Sequence, residues 1–399
     1  MKLQYMNFNY ISQSFHHIPT EYLREKIRTY SRQQRDKLRA HDLDSLRFGL
    51  GEIQEKVKEL ENLTVKDVTG LAARIKRRKH ATVEDMYRLC HAFLQSIENI
   101  RAFATIPGAI QILVKELTNG SDSERQIAAS ESLCNLSLGE SPVCEKIASL
   151  AGSYLVTYLD ANEERLKRTS LWTLANILTT GGKSAQTLMQ MELVRKLWQL
   201  YIPADLPVDA SNDYREDAAI CLQIVSEPTN KLLTTQDLDH IKKNLATKNP
   251  TSAGGEYHLQ IIFNCDIVNP NNLLSEKDVI YLINYSLGNL TQVTGHLEVV
   301  AFRLRLIFAV RILSNLIATQ PMALNLVLSQ AATVWQTNLV KILNKLFGFK
   351  NEVLSNETLW FLKILTSQEN SALTLSLGSF LDKLRIPLTF AMLSKKFAK

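Results

Sequence analysis

The feature that most constrains this chain is a short apolar helical pattern that returns six times. The segments are AASESLCNLSLG (128–139), RTSLWTLANILTTG (168–181), REDAAICLQIVSE (215–227), EYHLQIIFNCDIV (256–268), RLIFAVRILSNLIAT (305–319) and SNETLWFLKILTS (355–367). Each carries apolar or small residues on a three-or-four spacing, the period of one helix face. Superposed, they place Asn135, Asn176, Ile224, Asn264, Asn315 and Ile364 in one column, at intervals of 41, 48, 40, 51 and 49 residues. The longer intervals coincide with the loops 202–214 and 245–256. A unit of this length cannot bury its apolar face alone. Stacked on its neighbours it can, so the pattern predicts an all-α solenoid of helical repeats.

Composition agrees. Glycine (15) and proline (10) are scarce among 399 residues, against ordinary usage of about 7% and 5%, which favours long helices over a meander of short strands. The most apolar stretch, 299–319, carries Arg303, Arg305 and Arg311. Each would cost about 2.5 kcal/mol or more at a bilayer centre, so no membrane span is expected. The amino terminus lacks the basic-then-apolar order of a secretion signal, and the chain reads as soluble. None of the five cysteines forms a C-x-x-C pair; they read as small buried residues in a reducing compartment.

Catalytic patterns are missing from the sequence: no G-x-S-x-G, no phosphate-binding glycine loop, no H-E-x-x-H. Cys90 and His91 are adjacent, and neighbours at i and i+1 point in different directions on a helix. The chain is expected to be no enzyme, with no cofactor and no metal.

Charge is uneven. Residues 1–80 hold 17 Lys+Arg against 10 Asp+Glu, while the whole chain is +6. A basic arm therefore precedes a near-neutral body, which implies an acidic partner for the arm. Within EYLREKIRTYSRQQRDKLRA, Arg24, Arg28, Arg32, Arg35 and Arg39 form a stripe at helical spacing. Leu43, Leu46, Leu50, Ile53, Val57 and Leu60 follow a coiled-coil spacing for under three heptads, short of a dimerisation seam, and a monomer is expected. The cluster Arg74–Lys79 is cationic enough for phosphate but lacks interleaved aromatics or a reading module, so nucleic acid is not the expected partner.

Residues 106–139, IPGAIQILVKELTNGSDSERQIAASESLCNLSLG, closely resemble one armadillo unit: an I-P-G turn, a helix AIxxLVxxL, a polar break, then AAxxxLxNLS. Three features are similar to importin-α, the adaptor that carries nuclear-localisation signals to importin-β. Trp172 and Asn176 stand at i and i+4 in LWTLAN; TVEDMYRLCHAFL precedes an IENIRAFATIP turn; and IKRRKH (75–80) stands just before. The transmembrane-and-coiled-coil-named armadillo proteins match equally well. The resemblance spans roughly 24–181 and implies a right-handed armadillo/HEAT-like superhelix of about seven repeats. It also implies a concave face that takes extended cargo peptides, with Asn135, Trp172, Asn176 and Asn315 at the site. The arginine stripe and Lys76, Arg77, Arg78 and Lys79 would engage importin-β or fold back into the groove, in a protein of cytoplasm and nucleus. Departures are plain: Arg311 and Glu131 stand where a tryptophan would, and Trp360 is followed at i+4 by Ile364. A non-transport armadillo scaffold is the alternative. The expected organisation is an arm at 1–80, a solenoid at 81–390 and a basic tail at 391–399.

Overall fold

A computed structural model of the chain describes residues 24–30, 32–33, 63–119, 122–202, 214–245, 255–291, 300–349 and 351–368, with positions 370, 373, 375, 377, 378 and 380. Arg35, Arg39, the leucine spacing at 43–60 and the tail at 391–399 lie outside the described residues. Among those residues every regular element is helical, and packing divides the chain into two compact units, Met1–Thr234 and Thr235–Lys399. The sequence presents 81–390 as one array. The division falls in the connection 227–234, where Lys231 takes a left-handed backbone with φ 47°.

The first unit contains α1 (24–30), α2 (Val65–Arg78), α3 (Val83–Gln95), α4 (Ile97–Thr105), α5 (Ala109–Leu117) and α6 (Ser123–Leu136). It continues with α7 (Ser141–Thr157), α8 (Glu164–Thr180), α9 (Gly182–Met189), α10 (Leu193–Tyr201) and α11 (Tyr214–Ser226). Helices α3, α6, α8 and α11 pack one on the next and form a continuous row. A second row runs through α2, α5, α7 and α9. The grouping α4–α5–α6, repeated as α9–α10–α11, is the three-helix unit of an armadillo repeat.

Local chemistry sets the boundaries. Thr64 and Thr82 each open a helix with a reciprocal capping box, closed by Asp67 and Asp85, which satisfies two orphan N–H groups at each start. The V-E-D sequence is thus a helix start. Gly108 ends the I-P-G turn at φ 90°, where a Cβ would be strained. Asp122 caps α6 and Pro142 sits in the first turn of α7.

Helices α6, α8 and α11 of the first row are buried over most of their surface, which explains their mixture of leucine with small residues. In α6, Ala128, Ala129, Ser130, Ser132 and Leu133 are all fully buried. The serines remain bonded: Ser132 Oγ donates to the Met86 carbonyl at 2.8 Å, and Ser130 meets Thr169 at 2.5 Å. Burying one such leucine contributes about 1.5–3 kcal/mol. All five cysteines are buried free thiols; burial pushes Cys134 and Cys144 up to about 12, so they stay protonated at neutral pH.

The second unit runs α12 (Thr235–Lys243), α13 (Gly255–Asn264), α14 (Glu276–Thr291), α15 (Val300–Thr319), α16 (Ala323–Thr333), α17 (Leu339–Gly348) and α18 (Glu352–Thr366). Its own row is α13, α15 and α18. Among the described residues no helix is long and apolar enough to cross a membrane.

Candidate functional site

The row α6–α8–α11 brings together residues that the sequence separates by about one repeat. Glu131 lies on α6, Arg165, Arg168 and Trp172 on α8, and Tyr214, Glu216 and Asp217 on α11. Helix α1 lies against this face. Ile27 of α1 is completely buried, and its neighbours supply the specific contacts.

The Lys26 ammonium donates to Asp217 Oδ1 at 2.6 Å and to Glu216 Oε2 at 2.8 Å. The Asp217 side chain is 1% exposed. Burial pushes its carboxyl up, and Lys26 acts in the opposite direction by favouring the anion. The Trp172 indole N–H also lies close enough to favour that anion, although it stops short of a full hydrogen bond. Four residues on, the Tyr30 ring meets Trp172 edge to face, with centroids 5.1 Å apart and planes at 76°. Such pairs are worth about 0.5–1.5 kcal/mol beyond the area they bury. The Tyr30 hydroxyl donates to Glu131 Oε1 at 3.4 Å, and burial pushes that phenol up to about 12. Arg165 grips the same oxygen at 2.7 and 3.2 Å through two nitrogens. The Arg168 guanidinium stands over the rings of Tyr30 and Tyr214, 5.9 and 5.6 Å away.

The face therefore has two sockets one helical turn apart. An acidic one, Glu216 with Asp217, takes a cation. An aromatic one, Trp172 framed by Glu131, Arg165 and Arg168, takes a ring with a hydroxyl.

The residues expected from sequence fall into three groups. Trp172 is at the centre of the face, 1% exposed beneath Tyr30. Asn135 and Asn176 are on the same row but buried, at 1% and 2% exposure. Asn135 Nδ2 donates to the Cys90 carbonyl at 2.9 Å, and Asn176 Nδ2 to Ser137 Oγ at 2.9 Å. These amides tie each repeat to the one before it. Asn315 belongs to the second unit, where its carbonyl accepts from Thr319 at 2.7 Å. Nearby on the same helix, Arg311 pairs with Glu357 at 2.5 Å and stands over Phe263 and Phe308, each 5.2 Å away.

The basic residues divide as well. Among the described residues, Arg28 and Arg32 pair with Glu25, each at 3.5 Å. These are exposed contacts of the kind worth little. Arg24 is half-buried. Lys76, Arg77, Arg78 and Lys79 are exposed at the carboxy end of α2. There they complement the helix dipole, and Arg78 approaches Asp85 at 4.0 Å. Helix α2 itself, inside the 1–80 segment, buries Val68, Leu71, Ala72 and Ile75 against α4 and α5. A separate cleft lined by His80, Lys115, Glu116 and Arg125 has its buried carboxylate occupied: Glu116 meets His80 Nδ1 at 2.9 Å, the Ala81 N–H at 3.2 Å and Arg125 at 3.6 Å. No group of three potential metal ligands occurs among the described residues.

Lys26, Ile27, Tyr30, Arg165 and Asp217 are site residues that the repeat pattern does not single out. The one available signal was Ile27, a branched apolar residue in a polar stretch.

No protein-family model matches the sequence, and neither does any curated protein. Solved structures do. The crystal structure of an engineered protein is similar over 84% of this chain and 75% of that one, with 18% identity and a TM-score of 0.54. Computationally designed armadillo repeat proteins for modular peptide recognition are similar over 74% of this chain and 99% of theirs, at 15% identity and a TM-score of 0.40. A designed armadillo repeat protein in complex with the peptide (KR)4 is similar over 78% and 98%, at 16% and 0.36. The fold is an all-α stack of armadillo-like repeats. That reading rests on the three-helix units described above.

Proposed function

We propose that this chain is a protein-binding adaptor whose ligand site is the α6–α8–α11 face. The observation that supports this reading is the docking of Lys26 and Tyr30 into the acidic and aromatic sockets of that face. A buried carboxylate such as Asp217 is costly without a cation beside it, so the face is built to be covered by one. In the fuller form of the proposal the adaptor is importin-α-like. It would carry cargo between cytoplasm and nucleus, with the exposed cations Lys76, Arg77, Arg78 and Lys79 available to importin-β. That form rests on the sequence resemblance and on the exposure of those four side chains.

A second reading, a scaffold unrelated to transport, is favoured by one feature. The amide N–H groups of Asn135 and Asn176 donate within the repeat seam, to Cys90 and Ser137. Titrating importin-β against the full chain, and against the chain carrying Lys76→Ala, Arg77→Ala, Arg78→Ala and Lys79→Ala, separates the two. The transport reading expects binding that weakens with the substitutions and with rising salt. Absence of binding to the unaltered chain removes transport and leaves the scaffold.

A further inference from the structure

The proposal that the α6–α8–α11 face binds a protein segment leaves open the form of that segment, and the inference here rests on that proposal. We infer that the face takes its ligand as an α-helix, one turn of which presents a lysine, a branched apolar residue at the next position and a tyrosine four after the lysine.

Three observations carry this. First, the segment seated on the face is helical over 24–30, and its three anchoring side chains fall on one side of that helix. Positions i, i+1 and i+4 span about 100° of arc. Lys26, Ile27 and Tyr30 occupy them, while Glu25 and Thr29 point to solvent. Stretched out, residues 26 and 30 would lie roughly 13 Å apart, against about 6 Å for i and i+4 on a helix. The acidic and aromatic sockets are filled from successive turns of α1, by Lys26 and Tyr30.

Second, the contacts between the sockets and α1 run through side chains. An extended peptide brings N–H and C=O groups that need partners once buried. The amide N–H groups of Asn135 and Asn176 are buried and already donate to Cys90 and Ser137. A helix satisfies its own backbone and needs no such clamp.

Third, the polar complement is specific. Glu216 and Asp217 converge on one ammonium. Glu131 lies within reach of the tyrosine hydroxyl, so phenylalanine would leave that contact unmade. The partner implied is a protein helix bearing Lys-Ile-x-x-Tyr chemistry, and α1 is a tethered example of it.

The test uses the full chain carrying Lys26→Glu and Tyr30→Ala, so that its own α1 does not compete, with circular dichroism confirming the fold. The full chain with Tyr30→Ala alone serves if the double variant does not fold. Fluorescence anisotropy is read with a labelled peptide of residues 21–40 in three forms. One is unaltered. One is locked as a helix by a lactam between Glu25 and the side chain introduced by Thr29→Lys, both positions facing solvent. One carries Thr29→Pro, which breaks the helix without touching an anchoring residue. The locked form is expected to bind at least about tenfold more tightly than the unaltered peptide, through preorganisation, and the proline form at least about tenfold more weakly. Adding Asp217→Lys to the protein should abolish binding of every form. Equal affinity for all three forms, still abolished by Asp217→Lys, would overturn the helical ligand and keep the binding face. Absence of binding by every form to a folded protein would overturn both.

Discussion

Lys26 Nζ sits 2.6 Å from Asp217 Oδ1 across a separation of 191 residues, and it supplies the cation beside a carboxylate that the fold has buried. Removing one member of such a pair leaves an uncompensated charge. The expected response is local, with α1 leaving the face, and the cost is then limited to the docking free energy of α1. Lys26→Ala should therefore weaken docking of α1 by roughly 1–3 kcal/mol. Global unfolding should shift little. Hydrogen exchange resolved to residues 24–30 reads this directly: faster exchange there, with unchanged protection in α6 and α8, is the expected pattern. Unchanged protection of 24–30 would mean that the ion pair contributes nothing to holding α1.

Asn135 offers the complementary case, a polar residue whose loss should be felt in stability alone. Its amide donates to the Cys90 carbonyl between α6 and α3, and Asn135→Ala leaves that buried acceptor unsatisfied at a cost of about 1–3 kcal/mol. The melting temperature should fall while affinity for a helical ligand on the α6–α8–α11 face stays the same. Lost affinity at constant melting temperature would instead place Asn135 in the ligand site.

The contrast between these two residues shows where sequence reasoning reaches. Asn135 stands in a column of a repeating pattern, so its place on α6 follows from period and spacing. The same logic finds Ala128, Leu133 and Trp172, because each repeat must bury the same face against the next. Whether an asparagine in that column faces a ligand or the seam depends on the direction of one side chain, and spacing does not carry that. The docking of α1 is harder still. Lys26 and Tyr30 look like ordinary surface residues of a polar helix, and their partners Glu131, Trp172 and Asp217 come from three separate repeats. The arginine stripe was the louder signal, yet Arg28 and Arg32 pair only with exposed Glu25 in the described geometry. A helix that binds through three side chains of mixed chemistry leaves no periodic trace.

Gly139, at the turn between α6 and α7, tests the packing that brings successive repeats together. A Cβ added there would lie 2.6 Å from Ile100 Cγ2 and 3.1 Å from the Leu136 carbonyl oxygen. The methyl belongs to the branched β-carbon of a buried isoleucine on α4, so it has little freedom to retreat. Gly139→Ala should cost about 1–3 kcal/mol by overpacking, measured as a lower urea midpoint with an unchanged slope. In a double-mutant cycle, Gly139→Ala should cost as much in an Ile100→Val background, which retains that methyl, as in the unaltered protein, and less in an Ile100→Ala background, which lacks it, although Ile100→Ala is itself destabilising. A neutral Gly139→Ala would show that α4 can shift away from the turn.

Acid sensitivity of the second unit should follow from His258. The ring is completely buried, its Nε2 lies 2.8 Å from the Tyr281 hydroxyl, and burial lowers its pKa from 6.5 to about 3. A histidine whose folded pKa is depressed stays neutral in the native state while the unfolded chain takes up a proton. Its contribution to stability is therefore complete above pH 6.5 and is lost progressively as pH falls towards 3. The slope from this one group is about 1.4 kcal/mol per pH unit inside that window. His258→Gln retains an acceptor for the Tyr281 hydroxyl and has no proton to gain. Urea unfolding at pH 7, 5.5 and 4 should show the unaltered protein losing stability faster than the variant, with the gap closing at neutral pH once the packing cost of the substitution is subtracted. Parallel pH profiles for the two proteins would assign the acid sensitivity to other groups and require that His258 be protonated, or reached by water, in the folded unit.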